Sequence, residues 1–274
     1  MSDTVFAGSI PENYDRHMVP LIFEPFAADL ARRAASLSPS AVLEIAAGSG
    51  VVTRALAPRL PADASYIVTD LNQPMLDYAA SRQAPDRRIQ WRQADALALP
   101  FEDAEFDLVC CQFGAMFFPD KLQGYKEAYR VLKPGGRFFF SVWDRISENE
   151  FADTVTEALA GLFPSDPPRF MARTPHGHHD VELIRAELNS AGFARISVDA
   201  VEKRSKASSA RDVAFAYCQG TPLRGEIETR DPSRLEDATK QATEALAHQF
   251  GGGAIEGRIR AFVITAARPG PGSP

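Results

Sequence analysis

The sequence predicts an α/β fold with a parallel sheet covered by helices on both faces. Three observations predict it. Between residues 41 and 143, short apolar runs alternate with amphipathic stretches, the rhythm of strands joined by crossover helices. The first apolar run ends in a tight turn of small residues, Ala46-Ala47-Gly48-Ser49-Gly50. The chain has 274 residues, 45% hydrophobic and 24% charged, enough to bury a large core without staples.

The elements follow in order. Ala41–Ile45 reads as a buried strand, and Val52–Leu60 as a helix stopped near Pro61. Tyr66–Thr69 is a second strand, Gln73–Arg82 a helix, and Ile89–Arg92 a short third strand. Phe106–Cys111 is the fourth. Lys121–Leu132 is a helix ended by Lys133-Pro134-Gly135-Gly136, and Arg137–Trp143 is the fifth strand. The second half changes rhythm. Phe151–Phe163, Val181–Ala191, Ala210–Gln219 and Ser233–Phe250 read as helices, and Ile196–Val201 and Ile259–Ala266 as strands. No Ser/Gly-rich linker precedes the tail, so residues 1–268 are expected to form one domain. Residues 40–145 are its core, and 146–192 and 207–255 supply a cap. Residues 269–274, rich in Pro and Gly, are expected to be disordered.

Composition narrows the function. A net charge of −6 argues against a nucleic-acid partner, which needs clustered basic surface. The densest basic stretch, Lys203-Arg204-Ser205-Lys206, reads as a solvated strand end. Cys110, Cys111 and Cys218 show no metal-ligand spacing; reduced thiols in a cytoplasmic protein and no metal are expected. Met1–Ile10 lacks the pattern of a signal peptide, and no apolar run is long enough to span a membrane.

The glycine turn carries the chemistry. Without a Cβ at Gly48 and Gly50, backbone can approach a bulky ligand outside the carboxyl end of the first strand. Asp70 lies twenty residues beyond Gly50, at the end of the second strand, where a carboxylate can accept from two ribose hydroxyls. The rival reading of Asp70 is a cap for the next helix. These features fit NAD or S-adenosylmethionine (SAM), and three others favour SAM. The third glycine of the dinucleotide fingerprint is missing from Gly48-Ser49-Gly50-Val51-Val52-Thr53. Glu44, at the end of the first strand, can pair, directly or through water, with the ammonium of a methionine moiety, and an anion there disfavours a pyrophosphate. Asp95 can accept from an adenine amino group, with the Ala96 amide donating to a ring nitrogen.

Five blocks in order carry a family resemblance: Leu43 to Gly50; Val68-Thr69-Asp70; Gln93-Ala94-Asp95-Ala96 with Leu99-Pro100-Phe101; Phe106-Asp107-Leu108-Val109; and Arg130-Val131-Leu132-Lys133-Pro134-Gly135-Gly136. The sequence resembles the class I SAM-dependent methyltransferases, in particular the small-molecule branch with the ubiquinone/menaquinone C-methyltransferases. The resemblance implies a Rossmann-like sheet of seven strands with an antiparallel last strand, helices on both faces and helical cap insertions. It implies SAM as cofactor and a small, apolar or aromatic acceptor. It places Gly48, Ser49 and Gly50 at the cofactor, Asp70 on the ribose, Leu71 and Met75 beside the adenine, Asp95 and Ala96 at its edge, and Gln112 and Phe113 near the methionine part. Residues 1–35 become a lid helix, with Tyr14 contacting the methionine carboxylate. One departure stands out: Ala46 occupies a position where the family often has glycine.

The catalytic candidates are His17, in the lid, and His178 and His179 in the run His176-Gly177-His178-His179-Asp180. Asp180 is expected to cap the following helix. Phe113, Phe117, Phe118, Phe163, Phe170, Phe215 and Tyr217 are candidates for core or for an apolar acceptor pocket. Two other readings remain open: an NAD-dependent oxidoreductase, and a SAM-binding module without turnover.

Overall fold

The structure is a computed structural model that describes residues 10–270. The expectations for the extreme N-terminus and for the tail past residue 270 lie outside the described residues. The chain divides into two compact units. The first comprises the N-terminal segment to Pro25, Trp143–Gly177 and Val201–Ala261. The second comprises Phe26–Val142, His178–Ala200 and the segment from Phe262.

The strands are β1 (Ala41–Glu44), β2 (Ser65–Asp70), β3 (Ile89–Gln93), β4 (Phe106–Gln112), β5 (Leu132–Trp143), β6 (Ala194–Ala207) and β7 (Ile255–Ala267). They form one seven-stranded sheet in the order β3-β2-β1-β4-β5-β7-β6. β1 pairs in parallel with β2 and β4, β2 with β3, and β4 with β5. β7 runs antiparallel to β5. Arg268 N donates to Gly136 O near the start of β5, and Asp144 N, just past its end, donates to Arg260 O. This is the mostly parallel architecture with an antiparallel last strand that the sequence implies.

In the second unit, the helix Glu24–Ala35 contributes Ala27, Leu30, Ala31 and Ala34, a single apolar stripe. These residues share a buried cluster with Val42, Tyr66, Val68, Leu108 and Cys110 of the central strands and Val52 and Leu56 of the helix Val51–Leu56. Each fully buried Val or Leu there contributes about 1.5–3 kcal/mol. A second layer is aromatic. Phe138 stacks on Phe140 at 4.7 Å and on Phe193 at 5.7 Å, and Tyr125 lies 5.3 Å from Phe140. Side chains begin the helices. Asp120 accepts from Gln123 N at 2.9 Å, and Asp180 accepts from Glu182 N at 3.0 Å and Leu183 N at 3.2 Å, the expected cap.

The first unit is mainly helical, with helices Glu150–Leu162, Ala210–Gln219, Leu223–Arg230 and Leu235–Phe250. The last packs on the first two. Phe151 meets Phe250 edge to face at 5.0 Å, and Thr154 Oγ1 donates to Gln249 Oε1 at 2.7 Å.

Several local expectations need correction. Within the segment expected to be a lid helix, Tyr14–Phe23 is a π-helix, in which Glu24 N donates five residues back to Val19 O. Pro20 lies inside it. A proline ring clashes with the carbonyl four residues back, and five-back bonding relieves that clash. Leu223–Arg230 is a helix the sequence reading missed, because only Leu223 and Ile227 mark its buried side. Lys133-Pro134-Gly135-Gly136 lies inside β5 rather than before it. Phe106 pairs with Leu132 but Leu108 with Arg137, so this stretch is a bulge. β6 extends past Val201 through the charged run to Ala207.

Candidate functional site

The site is built at the carboxyl ends of β1, β2, β3 and β4, all within the second unit. β1 has β2 on one side and β4 on the other, so successive connections leave in opposite directions and open a crevice at its end. Two hydrogen bonds hold the outgoing turn there: Ile45 N to Cys110 O and Ala47 N to Thr69 O, both 2.9 Å.

Left-handed backbone concentrates at this spot. Ala46 has φ +54°, Gly48 +57° and Gly50 +81°, and Phe113, past the end of β4, has +53°. For Ala46 and Phe113 this conformation costs roughly 1–2 kcal/mol each. The departure from glycine at position 46 is therefore tolerated against strain. Gly114 makes room for it. A Cβ there would lie 2.4 Å from Ala46 Cβ and 2.8 Å from Cys111 Sγ. Sequence reading did not single out Gly114; its place beside Phe113, after a strand end, is the signal that could have.

Asp70 organises the turn. Its carboxylate is 7% exposed. Oδ2 accepts from Gly48 N at 2.8 Å and Oδ1 from Asn72 N at 2.8 Å. Burial pushes its pKa up, and the amides of Asn72 and Gly48 pull against that. Asp70 supports the turn into the helix Gln73–Arg82 through Asn72 N, and Asn72 Nδ2 lies 3.4 Å from the same oxygen. A carboxylate has roughly four acceptor positions, so capacity for a further donor remains.

Glu44 is placed differently from the expectation. It is 2% exposed, and its Oε2 accepts from Thr53 Oγ1 at 2.7 Å and from Tyr66 Oη. Burial pushes its pKa up to about 7, against the pull of the two hydroxyls. Its carboxyl is directed inward to tie β1 to β2 and to the helix Val51–Leu56, and pairing with a methionine ammonium is not what these contacts serve.

The remaining second-unit candidates surround the turn. Leu71 is 48% exposed, whereas Met75 is buried with its Cε 3.6 Å from where a Cβ on Gly48 would stand. Ser49 is buried, its carbonyl accepting from Arg54 Nη1 at 2.6 Å. Past β3, Ala94 N donates to Asp70 O at 3.0 Å. Asp95 is exposed and accepts from Leu97 N at 2.9 Å, while Ala96 is buried. Gln112 ends β4. Phe113 donates its N–H to Ser141 O at 3.0 Å and sets its ring edge-on to Phe26 at 5.4 Å.

Tyr14 and His17 belong to the first unit. Tyr14 stacks on Phe23 at 5.1 Å, and His17 meets Phe215 at 5.0 Å. Burial, then Arg16, lowers the His17 pKa. In the same unit Tyr217 and Phe170 are buried, which makes them core there.

The histidine run separates. His176, in the first unit, places Nδ1 2.8 Å from Asp144 O. His178, in the second, is 5% exposed with Nε2 2.9 Å from Tyr125 Oη. Burial, with Lys121 and His179 adding, holds its pKa down at about 4. Through Tyr125 it links the start of the helix Val181–Ser190 to the helix Lys121–Val131, and the two helices pack together. His179 is partly exposed. Among the described residues, no group of three His, Cys, Asp or Glu could hold a metal ion, and no helix is long and apolar enough to cross a membrane.

A family described as a methyltransferase domain matches residues 43–140. Demethylmenaquinone methyltransferase of Clavibacter sepedonicus is 30% identical over 174 residues, 60% of this chain and 70% of that protein. The ubiquinone/menaquinone biosynthesis C-methyltransferase of Xylella fastidiosa is 33% identical over 167 residues, 56% of this chain and 66% of that protein. Among solved structures, the YcgJ protein from Bacillus subtilis superposes with a TM-score of 0.58 at 20% identity, covering 89% of this chain and 99% of that one. The [4+2]-cyclase SpnF gives a TM-score of 0.54 at 16% identity, covering 90% and 81%. At these identities the structural likeness shows the fold alone.

Proposed function

Because the chain belongs to the class I SAM-dependent methyltransferases and is an enzyme that takes its methyl group from SAM, we propose that it methylates a small, apolar or aromatic metabolite. The oxidoreductase and non-catalytic readings fall with that membership. The observation that carries the proposal is Asp70. It is buried at the switch point, and its carboxylate is pre-aligned by two backbone amides, one of them from the glycine turn itself. Asp70 would hold the ribose hydroxyls. Gly48, Ser49 and Gly50 would supply close backbone approach, Leu71 and Met75 would flank the adenine, and Asp95 with the Ala96 amide would meet its edge. Gln112 and Phe113 would border the methionine part. The donor set fits the group: carboxylates for hydroxyl and amino donors, small residues for close approach, and no arginine or lysine among these residues to balance a pyrophosphate. Bound SAM supplies an electrophilic methyl on a sulfonium. The protein's work is to orient the partners in line and keep water out.

The likeness to the ubiquinone/menaquinone biosynthesis C-methyltransferase favours carbon as the methylated atom, and we propose a carbon of an electron-rich aromatic ring. Such a carbon brings its own electron pair to the methyl group as the sulfur departs with the electrons of the broken bond, and the ring proton lost afterwards would pass to water or to a base. A small molecule rather than nucleic acid is the acceptor we favour, given the net charge of −6. Cys110, Cys111 and Cys218 are buried free thiols, in keeping with a reducing, cytoplasmic setting.

The test offers purified protein SAM with a 13C-labelled methyl group and a panel of hydroquinones, catechols, phenols and amines. Carbon-13 NMR of the product locates the new methyl. Transfer to an aromatic carbon supports the proposal; transfer confined to amines overturns it.

A further inference from the structure

We propose that the protein carries a second binding site, for a small oxyanion of the phosphate class, in an arginine-lined cavity at the amino-terminal edge of its sheet. The cavity has a volume of about 110 Å³ and lies wholly within the second unit. That is several times the roughly 10–15 Å³ needed to hold one water, and suits one tetrahedral anion with its solvent. Its lining consists of Arg137, Arg195 and Arg268 with glycine, alanine and proline residues, and contains no carboxylate. Three arginines lining one cavity, in a protein of net charge −6, run against the overall sign.

The three arginines differ in how they are held. Arg268 is fixed. Its Nη1 donates to the carbonyls of Tyr129 at 3.0 Å, Arg130 at 2.9 Å and Leu132 at 2.7 Å, and its guanidinium lies 4.8 Å from the centre of the Tyr129 ring. These bonds use one nitrogen, and Nε and Nη2 donate to no acceptor among the described residues. Arg137 projects from β5 just after the bulge, and its guanidinium makes no ion pair or hydrogen bond among the described residues. Neither does that of Arg195, which opens β6 with left-handed backbone at φ +50°. A bulky residue in that conformation is strained. One anchored arginine and two without an acceptor among the described residues, all lining one cavity, form a donor set suited to a phosphate through charge-assisted, bidentate hydrogen bonds.

The cavity is separate from the methyl-transfer site. β5 runs parallel to β4 and, through it, to β1, and Arg137 pairs with Leu108, which pairs with Val42. Gly135 and Arg137 therefore lie toward the amino end of the sheet, whereas the glycine turn leaves past the carboxyl end of β1.

The test is calorimetric titration of inorganic phosphate into protein saturated with S-adenosylhomocysteine, at ionic strength held constant with chloride. A single saturable site in roughly the 0.1–1 mM range is expected. Arg137→Gln combined with Arg195→Gln should weaken it about tenfold or more while S-adenosylhomocysteine affinity stays within about twofold, since neither guanidinium holds the fold. Glycerol phosphate, titrated in parallel, tells a free phosphate from a phosphate monoester: the tighter of the two names the source. Heats no different from added chloride, or a variant that binds phosphate like the wild type, overturn the proposal. Amide NMR on the wild type gives a readout that needs no variant. Phosphate-induced shifts should centre on Gly135, Arg195 and Arg268, and shifts centred on Gly48 and Gly50 would overturn the assignment.

Discussion

The two ends of the sheet in the second unit use glycine in similar sequence contexts and for opposite purposes. At the carboxyl end, Gly48 and Gly50 turn the chain among carboxylates: Asp70 bonds the Gly48 amide, and Glu44 lies buried just before them. At the amino end, Gly135 interrupts β5 among arginines. All three glycines have left-handed backbone, at +57°, +81° and +88°. Their surroundings differ. A Cβ on Gly50 would stand 2.9 Å from Ala79 Cβ, whereas nothing lies within 4 Å of one on Gly135. A glycine turn announces unusual backbone only. What the turn serves is decided by the charged groups that later elements bring to it.

The largest expected effect tests the carboxylate end. Asp70→Ala should weaken S-adenosylhomocysteine binding about 10- to 100-fold, because charge-assisted hydrogen bonds are lost and the Gly48 amide loses its acceptor. Calorimetry reads this directly, and phosphate binding should be unaffected. Wild-type affinity in the variant would remove Asp70 from the cofactor.

Gly50→Ala comes next. Close approach to Ala79 and positive φ together should destabilise the fold by about 1–3 kcal/mol. In a protein of this size that lowers Tm by roughly 2–4 °C per kcal/mol, visible in a thermal melt.

Glu44 gives a pH signature. Its folded pKa is raised from 4.5 to about 7, so the folded state keeps a proton that the unfolded state releases. The stability it contributes is complete below pH 4.5 and declines as the pH rises through about 7. The slope from this one group is at most about 1.4 kcal/mol per pH unit. Urea unfolding across that range should show Glu44→Gln with a flatter profile than wild type; parallel profiles would mean the carboxyl ionises freely in the fold.

The smallest effect sharpens the contrast between the glycines. Gly135→Ala meets no atom and should cost only the backbone strain, about 1–2 kcal/mol and less than Gly50→Ala. Equal losses in the two variants would show that crowding at Gly50 contributes nothing.

The first half of the fold was legible because buried parallel strands are short, continuous apolar runs, and Phe106–Cys111 falls within one residue of β4. β6 was legible only in part. It is an edge strand whose side chains are mostly half-buried or exposed, so the apolar pattern ends near Val201, and the charged run read as a solvated strand end is edge-strand chemistry that carries the strand on to Ala207. The site divides in the same way. Asp70 was readable from spacing, because the end of a strand fixes where a side chain can be. Glu44 was not, since sequence gives its position along β1 but not the Thr53 and Tyr66 hydroxyls that claim it. The contact of His178 with Tyr125 was not legible, because the two lie 53 residues apart.

The π-helix Tyr14–Phe23 changes how this part of the chain would answer to the loss of a residue. In an α-helix, removing one position swings everything beyond it by about 100° and turns a buried face to water. A coil bonded five residues back can shed one residue and close onto four-back bonding, trading one helix for another instead of scrambling a face. What it gives up is the ring stack between Tyr14 and Phe23, whose separation of nine residues completes about two of the wider turns. A single deletion here therefore amounts to a change of pitch, and lengthening or shortening by one residue becomes a way to re-aim Tyr14 and His17 while the helix that follows keeps its place.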